Sequence, residues 1–340
     1  MNETIQDNLN YKKYVIDSRL KYFKPHSTKI EKSFSEEISF SLNRDSKFIH
    51  PKFFYDKKGS ELFEKICTLD EYYPTRTEIS ILKSIQNDLF ELLDGSFRLV
   101  ELGSGASVKT RLILDVFNKK YDKIEYFPID ISEILTESSE LLLKDYENLS
   151  ITGIIDTYEG GLEFIQNYDS EKNLIVFLGS SFGNFSPIEG AKFLEKINST
   201  MKHGDLFLIG LDLVKSTSVL EKAYDDSKGI TAEFNLNVLS RINDELDADF
   251  DLSNFKHYAI YNEKDQRVEM YLKSLVNQSV IISKSNLSLE LHKDELIHTE
   301  YSHKFKIEQI KELLGKTGFK IQKIWLDKNN LFSLTLASKN

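Results

Sequence analysis

Leu99-Val-Glu-Leu-Gly-Ser-Gly-Ala106 decides the fold of this chain. An apolar run, Leu99, Val100 and Leu102, ends in Gly103-Ser-Gly105. A helical pattern follows at once through Lys109, Thr110, Arg111, Leu112, Ile113, Leu114 and Val116. A buried strand, a glycine turn and a helix N-terminus open a doubly wound α/β domain. Glycine at such a turn lets the backbone approach a ligand that a Cβ would exclude. Glu101 precedes the turn. In a dinucleotide site the turn faces pyrophosphate and the acid comes about twenty residues later. An acid ahead of the turn suits a ligand with a cationic end, such as S-adenosylmethionine. The same glycine spacing also occurs in ordinary tight turns.

Strand and helix keep alternating downstream. Ile124 to Ile129 reads as a strand ending in Asp130, with Ser132 placed to cap a helix carrying Ile134, Leu135 and Leu141 to Leu143. Leu149 to Ile155 ends near Asp156. Asn173 to Leu178 runs into Gly179-Ser-Ser-Phe-Gly-Asn184, and Leu206 to Leu211 closes with Asp212. Acids and glycine loops thus lie just past strand ends, where open α/β sheets bind ligands. Asp130 there either accepts the ribose hydroxyls of an adenosine or caps a helix. Asp156 has the position to accept from an adenine amino group, or serves structure alone. Asn184 either holds a carboxylate or amine, or forms an Asx-turn.

From about residue 214 to 304 the pattern changes to helices (Val219 to Tyr224, Thr231 to Glu245) mixed with period-two strands, Arg267 to Lys273 and Ser279 to Ser283. A helix from Phe305 to Thr317 and a hairpin of Phe319 to Leu326 with Leu331 to Ala337 then return to the first sheet. The first 50 residues are polar and aromatic with little periodicity, and read as a wrapping for a folded body. After them, Pro74 is expected to hold Tyr73 extended ahead of a helix from Thr77 to about Leu93. The expected division is 1–77 plus 214–304 as one α+β domain, and 78–213 plus 305–340 as the glycine-turn domain.

Composition removes several classes of function. A net charge of −10 leaves no basic field for nucleic acid. No apolar run reaches the ~18–20 residues of a membrane span, and Met1-Asn-Glu-Thr-Ile has no signal-peptide character, so a cytoplasmic protein is expected. The single cysteine, Cys67, allows no internal disulfide and no cysteine zinc cluster, and its apolar neighbours suggest core. The seven histidines form no H-x-x-x-H pair, so no metal is expected. Tyr55, Tyr72 and Tyr73 read as core with hydroxyls at a rim. Glu300 and Ser302, two apart, share one side of an extended segment.

Tyr55-Asp-x-x-Gly-Ser-x-Leu-Phe, Glu71-Tyr-Tyr-Pro-Thr-Arg76, Glu101-Leu-Gly-Ser-Gly-x-x-x-Lys-Thr-Arg111, Gly179-Ser-Ser-Phe-Gly-Asn184 and Thr299-Glu-Tyr-Ser-His-Lys304 occur in that order. Together they resemble the L-histidine Nα-methyltransferases, which make hercynine for ergothioneine. The resemblance runs from about Lys52 to the C-terminus. It implies a Rossmann-like class I methyltransferase domain with a second, substrate-binding domain. It also implies S-adenosylmethionine as methyl donor, S-adenosylhomocysteine as product, and no obligate protein partner. Carried over by position, Glu300 and Ser302 would hold the imidazole, with Met270 packed beside it. Tyr72, Asn184 and Tyr224 would hold the carboxylate and amine. Tyr55, Gly179 and Asn184 would stand at the transfer point. Glu101, Gly103, Gly105, Lys109, Asp130, Asp156, Thr157 and Tyr158 would meet the donor. Thr157-Tyr158 stands where an Asp-Phe pair is expected, Phe182 replaces an isoleucine and Ala106 a serine or threonine.

Two other readings compete. One is N-methylation of another aromatic amino acid such as tryptophan. The other is a donor-binding protein without catalysis, which intact acceptor-pocket motifs disfavour. Glu300 argues for imidazole, because a buried carboxylate facing an indole accepts one N–H at most, and unmet charge costs at least ~1–3 kcal/mol.

Overall fold

The computed structural model of the protein describes residues 10–26, 33–105, 108–131 and 135–340. The expected cap at Ser132 and the positions of Ala106 and Ile134 lie outside them. Strand β3 (Phe97–Leu102) is buried along its whole length. It lies between β4 (Ile124–Asp130) and β6 (Lys172–Phe177), parallel to both. Such strands need not alternate, because helices cover both faces of the sheet. On one face pack α5 (Val108–Lys120) and α6 (Leu135–Asp145), through Ile113, Phe117 and Leu142. On the other pack α7 (Tyr158–Tyr168), α8 (Pro187–Thr200) and α11 (Ile307–Lys316), through Leu162, Leu194 and Ile310. With neighbours on opposite sides leading in opposite directions along the chain, β3 is the switch point of the sheet, and its carboxyl end opens on a crevice.

Beyond β6 follow β7 (Leu206–Asp212) and the antiparallel pair β14 (Phe332–Lys339) and β13 (Phe319–Leu326), so the terminal hairpin does return to the first sheet. The opposite edge differs from expectation. Residues counted as a wrapping form a hairpin, β1 (Tyr11–Val15) and β2 (Leu20–Pro25), and β2 pairs in parallel with β5 (Leu149–Ile155). The nine strands run β1-β2-β5-β4-β3-β6-β7-β14-β13. Most of the hairpin's core contact comes from β2: Leu20 and Tyr22 pack into one face and Phe23 into the other. The outermost strand β1 is mostly exposed and carries Lys12 and Lys13, charges that discourage edge-to-edge pairing. A second difference concerns Pro74. It lies in the first turn of helix α3 (Tyr73–Ser84), where a missing N–H costs nothing, and Tyr73 is already helical. Ile85 separates α3 from α4 (Gln86–Leu92), dividing what periodicity reads as one helix.

A separate core gathers α1 (Phe34–Leu42), α2 (Lys57–Cys67), α9 (Thr217–Tyr224) and α10 (Ile230–Leu246). With them pack the small sheet of β8 (Phe255–Asn262), β9 (Arg267–Ser274) and β12 (Leu296–His303), and the pair β10 (Gln278–Ile282) and β11 (Leu287–Leu291). Phe54, Leu62, Phe234, Val238 and Leu272 are among its buried residues. The chain enters and leaves this layer side by side: the Phe305 amide donates to the Asp212 carbonyl at 2.9 Å, and Val214 returns a bond at 3.0 Å. Among the described residues no helix is long and apolar enough to cross a membrane.

Candidate active site

The crevice at the end of β3 continues into a cavity between the two cores. The crevice is shaped by backbone. Gly103 and Gly105 have φ of +74° and +47°, in the left-handed region that favours glycine. A Cβ on Gly103 would stand 2.8 Å from the Tyr158 hydroxyl, whereas one on Gly105 would meet no atom of the described residues within 4 Å. The turn is therefore an open cradle with Tyr158 on its flank. Asp130 ends the neighbouring strand β4. Glu101 is buried, and its Oε2 accepts from Thr110 at 2.8 Å and Tyr126 at 2.5 Å. Burial pushes its carboxyl up to about 7 against these two bonds.

Asp156 and Thr157 are engaged elsewhere. The Tyr11 hydroxyl of β1 donates to Asp156, whose other oxygen takes the Thr157 amide at 2.7 Å. The Thr157 hydroxyl caps α7 by accepting from Gly160 at 3.2 Å. Of the three neighbours, Tyr158 is thus the one whose side chain flanks the cradle.

The cavity itself is lined by Tyr55, Tyr72, Gly179, Asn184, Tyr224, Met270, Glu300 and Ser302, with Phe63, Ile66 and Phe234 completing an aromatic and apolar wall. These residues come from both cores. Tyr55 and Tyr72 lead into α2 and α3, and Tyr224 ends α9. Its carbonyl accepts from His257 Nε2 at 2.8 Å. Met270 of β9 lies directly opposite Glu300 of β12, and the ladder slips between His298 and Glu300. Such an irregularity re-aims side chains beside a site. Here Glu300 and Ser302 are both buried toward the cavity, while Tyr301 between them stacks under the Arg267 guanidinium at 3.8 Å. Asn184 closes the short turn Ser181–Asn184, and its side chain bonds to no described residue, so an Asx-turn does not account for it.

Glu300 accepts no hydrogen bond from a described residue. Burial raises its carboxyl to about 7, opposed only by the charge of Lys304. Ser302 is tied instead: its Oγ lies 2.7 Å from the Tyr224 hydroxyl and 2.8 Å from Lys304 Nζ. Lys304 and Asp212 are wholly buried as an ion pair at 2.9 Å. Asp212 also accepts from Tyr73 at 2.6 Å and pairs with Lys215 at 2.5 Å. Burial opposes its charge, yet the two ammonium groups hold its carboxyl below the usual range.

One residue that sequence reasoning missed joins the two halves. Glu78 of α3 is fully buried and accepts from the Gly179 amide with both oxygens, at 3.0 and 2.9 Å. It also pairs with Lys109 at 2.9 Å. Gly210 on β7 makes room for it, since a Cβ there would come within 2.1 Å of Glu78 Oε1. Gly179, with φ +82°, is thereby fixed where the crevice meets the cavity. The faint signal was its place two residues beyond Arg76, inside an amphipathic helix where an acid would ordinarily face solvent.

Comparison with known proteins gives a consistent neighbourhood. The profile of a family described as histidine-specific methyltransferase, SAM-dependent, matches residues 34–339. A histidine N-alpha-methyltransferase of Mycolicibacterium smegmatis is 38% identical over 302 residues, 88% of this chain and 93% of that one. Its counterpart from Mycobacterium tuberculosis is 37% identical over 304 residues, 89% of this chain and 94% of that one. Ergothioneine biosynthesis protein 1 of Schizosaccharomyces pombe is 29% identical over 296 residues, 84% of this chain but 38% of that longer protein.

Proposed function

The chain belongs to the SAM-dependent, histidine-specific methyltransferase family, and from that premise we propose a role for each wall of its cavity. The protein is an S-adenosylmethionine-dependent enzyme that trimethylates the α-amino group of L-histidine to hercynine, a step of ergothioneine biosynthesis. The observation that supports the residue roles best is the gathering of Tyr55, Tyr72, Gly179, Asn184, Tyr224, Met270, Glu300 and Ser302 around one cavity.

The open cradle at Gly103 and Gly105 and the acid at the end of β4 fit an adenosyl donor with an amino-acid tail. Asp130 accepts from its ribose, and Glu101 with the glycine turn takes the amino-acid end. That donor supplies an already activated sulfonium methyl, so the protein's task is alignment more than acid–base chemistry. Glu300 accepts a ring N–H and Ser302 meets the second ring nitrogen. Tyr55, Tyr72, Tyr224 and Asn184 surround the amine and carboxylate. The amine has to shed a proton before attack, its ordinary pKa being roughly 8 or above. Hydroxyls and an amide around it carry no fixed charge, so they tolerate a nitrogen that becomes permanently cationic. Aromatic rings add cation–π attraction of about 0.5–2 kcal/mol.

The test is a panel of free amino acids incubated with S-adenosylmethionine and followed by mass. Histidine should gain one, two and three methyl groups. A preference for tryptophan or another aromatic amino acid would overturn the acceptor assignment.

A further inference from the structure

Lys304 does not line the cavity, yet its three ammonium protons are all assigned. They go to Ser302 Oγ at 2.8 Å, the Tyr224 hydroxyl at 2.8 Å and Asp212 at 2.9 Å. Asp212 keeps it charged: burial works against the ammonium, but the carboxylate more than offsets that. Both hydroxyl oxygens therefore accept from Lys304, and they also bond each other at 2.7 Å. A hydroxyl has one proton and two lone pairs. If Tyr224 donates to Ser302, both lone pairs of Ser302 are filled and its own proton is left over. If Ser302 donates to Tyr224, the proton left over belongs to Tyr224. Either way one hydroxyl proton remains, and both residues border the cavity.

We propose that Lys304 is the positioning residue that makes this wall a hydrogen-bond donor, so that the site takes the substrate ring as neutral imidazole in one tautomer. The proposal rests on the histidine reading above and goes beyond it. A neutral imidazole has one N–H, for Glu300, and one bare nitrogen, for the outward hydroxyl. An imidazolium has two N–H groups, and the second would meet a donor backed by a buried ammonium. The other titratable groups facing the ring are Tyr55, Tyr72 and Tyr224. Behind Ser302 stand Lys304, Asp212 and Lys215, and across the cavity Glu78 and Lys109 meet Gly179. None of them places an acceptor beside Ser302 except Asp212, which is taken by the two lysines and Tyr73.

The experiment compares histidine with 1,2,4-triazol-3-ylalanine, whose ring stays neutral across the range, in the parent and in Lys304→Met. Asp212 keeps Lys215 and Tyr73 as partners in that variant. In the parent, KM for histidine should rise about fivefold more than KM for the triazole between pH 6.5 and 5.5, as the ring protonates near its ordinary pKa of about 6.5. Protonation of Glu300 or of the α-amine affects both substrates alike and cancels. In Lys304→Met the two curves should run together, with the Kd for S-adenosylmethionine within about twofold of the parent by calorimetry. Parallel curves in the parent overturn the proposal without recourse to the variant, which covers a variant that does not fold. A pH gap kept by Lys304→Met, or a lost donor affinity, overturns the role of Lys304. A parent that methylates neither compound overturns the histidine reading itself, whereas parallel curves leave that reading standing.

Discussion

The two halves of the site are built in opposite ways, and their buried glutamates show it. Glu101 and Glu300 are both pushed up to about 7 by burial. Glu101 already accepts two bonds at Oε2, from Thr110 and Tyr126. Glu300 takes no bond from any described residue and has only the nearby charge of Lys304 in its favour. A buried charge without hydrogen bonds is expensive, so the acceptor half is incomplete until a donor N–H arrives with the ligand. The glycine-turn half ties its carboxylate to its own strands and helix, whereas the other half holds a complementary charge open.

The largest expected effect follows from that difference. Glu300→Ala should lower kcat/KM for histidine by about 2–4 kcal/mol, roughly 30- to 1000-fold, with donor affinity nearly unchanged. A variant that methylates histidine as well as the parent would place the ring elsewhere. A variant that loses the donor instead would erase the distinction between the halves. Asp130→Ala is the converse, weakening S-adenosylmethionine by about 2–3 kcal/mol through loss of charge-assisted hydrogen bonds. Calorimetry that finds no change would remove Asp130 from the donor site.

The same contrast explains what could be read from the chain. The donor half is local: strand, glycine turn and helix lie within residues 97–120, and the acids sit at strand ends. Its fold was therefore legible down to Asp130. The acceptor half draws on Tyr55, Tyr72, Asn184, Tyr224 and Glu300, which no periodicity connects; only the family resemblance that several ordered motifs carry pointed to them. The buried ion pairs were not legible at all. Asp212 was placed at a strand end and Lys304 within a motif, but nothing in the sequence pairs them or buries Glu78, and only tertiary packing brings the three to zero exposure. The β1–β2 hairpin was missed because its outer strand is exposed and polar, with little apolar alternation to read.

If Glu300 is an unmet buried charge, it should cost stability in the protein without ligand. Its pKa rises on folding from 4.5 to about 7. The folded state therefore binds more protons than the unfolded chain across that interval, and stability falls as pH rises through it. Glu300→Gln removes the ionisation. It should match the parent near pH 4 and exceed it above pH 7 by on the order of 2 kcal/mol in denaturant unfolding without ligands. Saturating histidine should narrow the gap by stabilising the parent alone. A variant no more stable than the parent at pH 8 would mean that Glu300 already has a partner.

The smallest effect concerns the room around the ring. Met270 is 2% exposed, borders the cavity and faces Glu300 across the β9–β12 ladder. Its flexible thioether fills space that a small ring leaves. Met270→Val shortens that side chain and should admit an indole more readily. It should also loosen packing on imidazole, each change worth about 1 kcal/mol. The ratio of kcat/KM for tryptophan to that for histidine should then rise about thirtyfold, measured with both substrates in competition. Histidine should still be preferred, because enlarging the space does nothing for Glu300 and Ser302, which an indole with its single N–H cannot both satisfy. An outright preference for tryptophan in Met270→Val would show that ring size, and not the pairing of acceptor and donor on β12, sets the choice of substrate.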